Sequence, residues 1–376
     1  MNTYTPFQTL MREATRLTQA GQLQAATQAL QRALGGSMQP SIEGGQATKA
    51  TRADDSSLIL DGCVFKTVED TTARTRTGFD QETFTGASHT HAGITRRYKL
   101  YTPPRIAGHA SALIVMLHGC TQNPDDFAAG TGMNALAREQ GFMVLYPEQA
   151  QDANPQRCWN WFKHNHQKRG SGEPALIANL AQTLARQHGI DPHRIYVAGL
   201  SAGGAMAAIV ATEYPDVFAA VGVHSGLPSG AAGNVTEALM AMKNGSVNAA
   251  MARNRADTKA LVRHVVPTIV FHGDKDQTVH PRNGKQVLAA VLASQVLASG
   301  SVADAATASS VEQRVSQLGR RFTRTTYQNA AGAPLAEHWV LHGAGHAWSG
   351  GSAVGSYTDP TGPDATREMV RFFFSR

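Results

Sequence analysis

A serine framed by glycines is the first group in this 376-residue sequence whose setting could do chemistry. Gly199-Leu200-Ser201-Ala202-Gly203 reads G-x-S-x-G and has no second match in the chain. Five residues are weak evidence alone, but their surroundings add to them. The strand-like run Arg194–Ala198 precedes the pattern and the helix-like run Ala202–Tyr214 follows it. A serine on so sharp a turn holds its hydroxyl above the sheet, and the glycines are needed where larger residues would strike the adjoining strand and helix. The helix start adds backbone N–H groups and a positive dipole end. Ser201 is therefore the expected nucleophile, attacking a carbonyl carbon.

Such attack needs donors for the developing oxyanion, a base and an acid. The apolar run Ala112–Leu117 ends in His118-Gly119-Cys120-Thr121-Gln122, a turn placed to supply one donor. The backbone N–H groups of Cys120 and Ala202 are the expected pair, with His118 as a structural histidine. When a serine elbow opens the set, the acid and then the histidine follow it along the chain. The acid is expected in His272-Gly273-Asp274-Lys275-Asp276, where Asp276 is preferred and Asp274 is the alternative, capping the turn. The histidine is expected in His342-Gly343-Ala344-Gly345-His346, where His346 is preferred over His342. His346 would take and return the serine proton while Asp276 orients it.

These residues need strands to carry them. Strand patterns cover 97–101, 112–117, 143–146, 194–198, 219–223, 268–271 and 338–341; helical patterns cover 124–140, 174–187, 202–214 and 363–374. Apolar strands alternating with helices predict an α/β fold with a mostly parallel sheet, helices on both faces, and sites at the carboxyl ends of the strands. Two stretches, 227–262 and 286–320, read as inserts that interrupt the alternation. Helical spacing at 1–34, broken near Gly21, predicts an N-terminal hairpin; 35–57 reads as a flexible linker and 58–376 as the catalytic domain.

Longer blocks sharpen the picture: LHGCTQ (117–122), CWNWF (158–162), RGSGEP (169–174), DPHRIYVAGLSAGGAM (191–206), HGDKDQTVHP (272–281) and GAGHAWSGG (343–351). In order and spacing they resemble the esterases of the poly(3-hydroxybutyrate) depolymerase type, over about Tyr98 to Arg376. That resemblance implies an α/β-hydrolase fold, a Ser201–Asp276–His346 triad, Cys120 as an oxyanion residue, and short-chain polyhydroxyalkanoate as substrate class. Feruloyl and acetyl-xylan esterases look similar over the same core, and a non-catalytic binding protein on the same scaffold is the alternative from another class. Trp159, Trp161, Trp348 and Gln122 are candidates for the substrate wall, with packing as the competing role for each tryptophan. No cofactor is implied.

Composition excludes other classes. The net charge of +6 is spread along the chain and no nucleic-acid motif accompanies it. His89/His91 and His164/His166 lack a third ligand at a metal spacing. No segment is apolar for the roughly 20 residues of a membrane span. The N-terminus lacks a signal-peptide core, so the sequence by itself reads as cytoplasmic, although many similar esterases are exported with an extra binding domain. Of three cysteines, Cys120 and Cys158 fall near the expected site, either bridged or free, and Cys63 reads as a small buried residue. The N-terminal hairpin is expected either to pack on the chain or to contact a protein or polymer granule.

Overall fold

The computed structural model describes residues 81–104, 112–247, 265–299 and 307–375. The expected hairpin at 1–34, the linker at 35–57, the start of the catalytic domain and Cys63 lie outside the described residues, so the granule contact does too.

A hairpin of β1 (Thr83–His91) and β2 (Ile94–Thr102) opens the described chain. Its two-residue turn places Ala92 and Gly93 both at positive φ, as the twist of tight hairpins requires. β3 (Leu113–Leu117), β4 (Met143–Pro147), β5 (Ile195–Leu200), β6 (Ala220–His224) and β7 (Thr268–Gly273) follow, then β8 (Thr307–Val315), β9 (Arg321–Gln328), β10 (Pro334–Leu341) and the short pair β11 (Trp348–Ser349) and β12 (Thr358–Asp359). The helices are α1 (Pro124–Thr131), α2 (Met133–Gln140), α3 (Gly172–His188), α4 (Ala202–Glu213), α5 (Val235–Asn244), α6 (Arg282–Ser299) and α7 (Ala365–Phe374).

Ten strands form one sheet in the order β1-β2-β4-β3-β5-β6-β7-β10-β9-β8. The six from β4 to β10 run parallel, flanked by antiparallel β1–β2 on one side and β9–β8 on the other. The parallel strands are mostly apolar because both faces are covered. Along β3 the side chains divide by parity. Leu113, Val115 and Leu117 pack with residues of α3, α4 and α5, whereas Ile114 and Met116 pack with Phe127, Leu136, Phe372 and Phe373 from α1, α2 and α7.

Every strand predicted from the sequence is present. The structure corrects three other expectations. The run 124–140 is two helices, because Gly132 takes a left-handed conformation (φ 65°) that ends α1 and starts α2. The stretch 227–262 contains α5, and 286–320 holds most of α6 and all of β8, so neither is a plain insert.

Candidate active site

The site is assembled at the carboxyl ends of β3, β5, β6, β7 and β10, all near the sheet centre. Ser201 sits between β5 and α4 with φ 58° and ψ −119°, a left-handed conformation that costs a non-glycine residue about 1–3 kcal/mol. Its N–H donates to His224 O at 2.9 Å. Crowding around the turn explains the flanking glycines. A Cβ on Gly203 would lie 1.9 Å from Leu117 O, and one on Gly199 would lie 2.4 Å from the Gly203 carbonyl carbon. The turn thus closes against the end of β3, which brings the loop after β3 alongside Ser201. A Cβ at Gly119 would stand 3.7 Å from Ser201 Cβ.

That loop leaves the Cys120 backbone donor to spare. Gly119 N–H donates to Gln122 Oε1 (2.9 Å), Thr121 N–H to Gln156 O (2.7 Å) and Gln122 N–H to Gly119 O (3.3 Å). Cys120 N–H has no partner among the described residues. Ala202 opens α4, where an N–H has no acceptor in its own helix. Both expected oxyanion donors are therefore unspent. A Cys120–Cys158 disulfide fixes the loop and settles which of the two states, bridged or free, these cysteines adopt.

His118, as expected, is structural. Its Nε2 accepts the Gln149 N–H (3.1 Å), so Nδ1 carries the proton and donates to Gly119 O (2.7 Å). Burial pushes it down to about 4, which keeps it neutral. Behind it, Glu173 of the RGSGEP block accepts from Gln149 Nε2, Asn160 N–H and Asn160 Nδ2. Burial works against the Glu173 charge, but donors from His166, Gln149 and Asn160 hold its carboxyl below the usual range.

Asp276 and His346 come together from the loops after β7 and β10. His346 Nδ1 lies 2.7 Å from Asp276 Oδ2, while Asp276 Oδ1 accepts the N–H groups of Thr278 and Val279. Burial disfavours the Asp276 carboxylate, yet hydrogen bonds from His272 and His346 and the His346 charge outweigh it and hold it far below the ordinary carboxylate range. An ionised carboxylate only accepts, so Nδ1 bears the His346 proton and Nε2 is its basic atom.

The alternatives form a pair of their own. Asp274 bonds His342 Nδ1 (3.0 Å) and the Gly343 N–H (2.7 Å) at the surface.

The four expected substrate-wall residues serve other ends. Gln122 is buried, its amide accepting from Gly119 and donating to Asp126 and Ser356, so it staples the loop. Trp159 packs beside His118, Trp161 edge-on to Phe162, and Trp348 against His224 and Phe127 with its Nε1–H on Thr366 Oγ1. All three indoles are buried, because a large ring beneath a loop removes more apolar area from water than one at its mouth.

Sequence reasoning missed His224. Its carbonyl accepts the Ser201 N–H and its Nε2 accepts the Ser349 N–H (3.0 Å), tying the nucleophile turn to the His346 loop. Burial and the nearby His272 and His346 push it down to about 3. Among the described residues no group of three or more His, Cys, Asp and Glu could hold a metal, and no helix is long and apolar enough to cross a membrane.

Comparison with known proteins adds to this geometry. A family model described as esterase PHB depolymerase matches residues 96–316. Poly(3-hydroxyalkanoate) depolymerase C of Paucimonas lemoignei is 32% identical over 262 residues, 68% of this chain and 59% of that one. A probable acetylxylan esterase A of Aspergillus flavus is 26% identical over 197 residues, 49% of this chain and 62% of that one. The chain thus spans about three fifths of the length of these relatives. Among solved structures, an acetyl xylan esterase from Aspergillus awamori shares the fold, with a TM-score of 0.54 at 20% identity over 70% of this chain and 94% of that one.

Proposed function

The chain belongs to the esterase PHB depolymerase family, and on that premise we propose that it hydrolyses carboxylic esters through an acyl-enzyme on Ser201. The observation that carries this reading is the part-buried 2.7 Å hydrogen bond between His346 Nδ1 and Asp276 Oδ2, at the same sheet end as a strained serine turn. In this reading Ser201 Oγ attacks the ester carbonyl as His346 Nε2 takes its proton. The oxyanion is met by the N–H groups of Cys120 and Ala202, and Asp276 stabilises the imidazolium. Collapse breaks the ester C–O bond, and His346 returns the proton to the leaving alkoxide. Water then repeats the sequence on the acyl-enzyme, giving the free acid and restoring Ser201.

Short hydroxyalkanoate esters, as oligomer or polymer, are the substrate class the family favours, with the depolymerase relative in support. Acetyl groups on carbohydrate alcohols are the second reading, supported by the acetylxylan esterase relatives. Ser201→Ala is expected to lower p-nitrophenyl butyrate hydrolysis by about 10⁴-fold or more. Turnover at the unmodified rate would end the serine reading. Rates on hydroxybutyrate oligomers against acetylated xylan and feruloyl esters separate the substrate classes.

A further inference from the structure

We propose that a cleft beside the Cys120–Cys158 bridge binds a terminal carboxylate through Arg157. The ligand is the free acid end of an ester whose alcohol portion is a hydroxy acid; this rests on the ester-hydrolase reading above and names the group that leaves. The cleft measures about 500 Å³, and its charged lining comprises Arg97, Lys99, Asp125, Glu148 and Arg157. Four of these charges cancel in pairs, Arg97 with Glu148 at 3.0 Å and Lys99 with Asp125 at 2.5 Å. Arg157 makes no ion pair and no side-chain hydrogen bond among the described residues. The cleft therefore carries one uncompensated positive charge, on a half-buried guanidinium whose planar fork matches a carboxylate.

Arg157 is also held in place at some cost. Its φ of 52° is left-handed, a conformation that long side chains avoid, and such strain persists where the surroundings over-determine it. Here they do. Arg157 N–H donates to Asn154 O (2.8 Å), Gln156 O accepts the Thr121 N–H (2.7 Å), and Cys158 is bridged to Cys120. The Arg157 backbone is thus fixed to the same loop that offers the Cys120 N–H, and Asn123, from the far end of that loop, lines the cleft. A carboxylate seated on Arg157 would anchor the alcohol side of an ester whose carbonyl sits at Cys120. In an oligomer of hydroxy acids, the alcohol side is the one that ends in a carboxylate.

The test uses the linear dimer of 3-hydroxybutyrate and its methyl ester, titrated into full-length Ser201→Ala protein by calorimetry. The free acid is expected to bind about tenfold more tightly than the methyl ester. Adding Arg157→Gln should bring that ratio to about one, and Arg157→Lys should restore part of it, less than the forked group gives. Because each ratio is taken within one variant, a general loss of folding does not mimic the effect. Equal affinities in Ser201→Ala, no binding of either ligand, or a preference that survives Arg157→Gln would overturn the proposal. Failure of the underlying reading looks different: the Ser201→Ala protein would cleave the dimer.

Discussion

Two aspartate–histidine pairs bridge the loops after β7 and β10, and burial separates them. Asp276–His346 lies beneath the surface with the acid saturated by donors, whereas Asp274–His342 is about one third exposed on both sides. Asp276→Asn leaves the shape and removes the charge that stabilises the imidazolium, so kcat is expected to fall by about 10⁴-fold. Asp274→Asn breaks an exposed pair worth at most about 1 kcal/mol, so kcat should move less than about threefold. Steady-state kinetics on one short p-nitrophenyl ester decides both, and equal losses would mean that the acid has been misassigned. That Asp276 and His346 would lie together was legible from position along the loops. The roles of Gln122 and the tryptophans were not, since a side chain's type does not tell whether its polar atoms face solvent or are already spent on the backbone. His224 was invisible for a similar reason: it closes an apolar strand and acts through a carbonyl and a buried ring nitrogen.

The strand-to-helix turn at Ser201 works as an element because two backbones nearly touch there. Gly203→Ala would put a methyl group 1.9 Å from Leu117 O, against backbone that cannot step aside. The expected loss of stability is at least about 3 kcal/mol, read as a lower urea midpoint or as absence of soluble protein. A midpoint within error of wild type would show that the turn is looser than described. The parallel strands were legible because continuous apolar runs mark strands covered on both faces. β8 was not, because as an edge strand it alternates weakly and carries polar side chains on both faces, and α6 was lost in an Ala/Ser/Val-rich stretch with little contrast between its sides.

At the scale of the whole molecule, buried imidazoles set the acid limit. His118, His224 and His338 are pushed down to about 4, 3 and 4, each chiefly by burial, from about 6.5 when exposed. The unfolded chain therefore binds protons at these sites before the folded one does. Their contribution is whole above about pH 6.5 and is lost as pH falls from there toward 4 and 3, where folded histidines also protonate. Asp276, displaced in the same stabilising sense, adds its loss only below about pH 4. Urea unfolding at pH 7.5, 5.5 and 4.5 should show stability falling across the upper interval already; a flat response down to pH 4.5 would contradict the neutral, buried state. The Cys120–Cys158 bridge adds a dimension of time. A newly made chain holds Cys120 and Cys158 as thiols, and only oxidation staples the Cys120 loop to the Trp159 segment across 38 residues, which stabilises it by about 4 kcal/mol. A reducing compartment keeps both cysteines as thiols. Protein treated with dithiothreitol should lose most of its turnover and regain it on reoxidation, whereas full activity in the reduced form would make the bridge a brace for the fold alone.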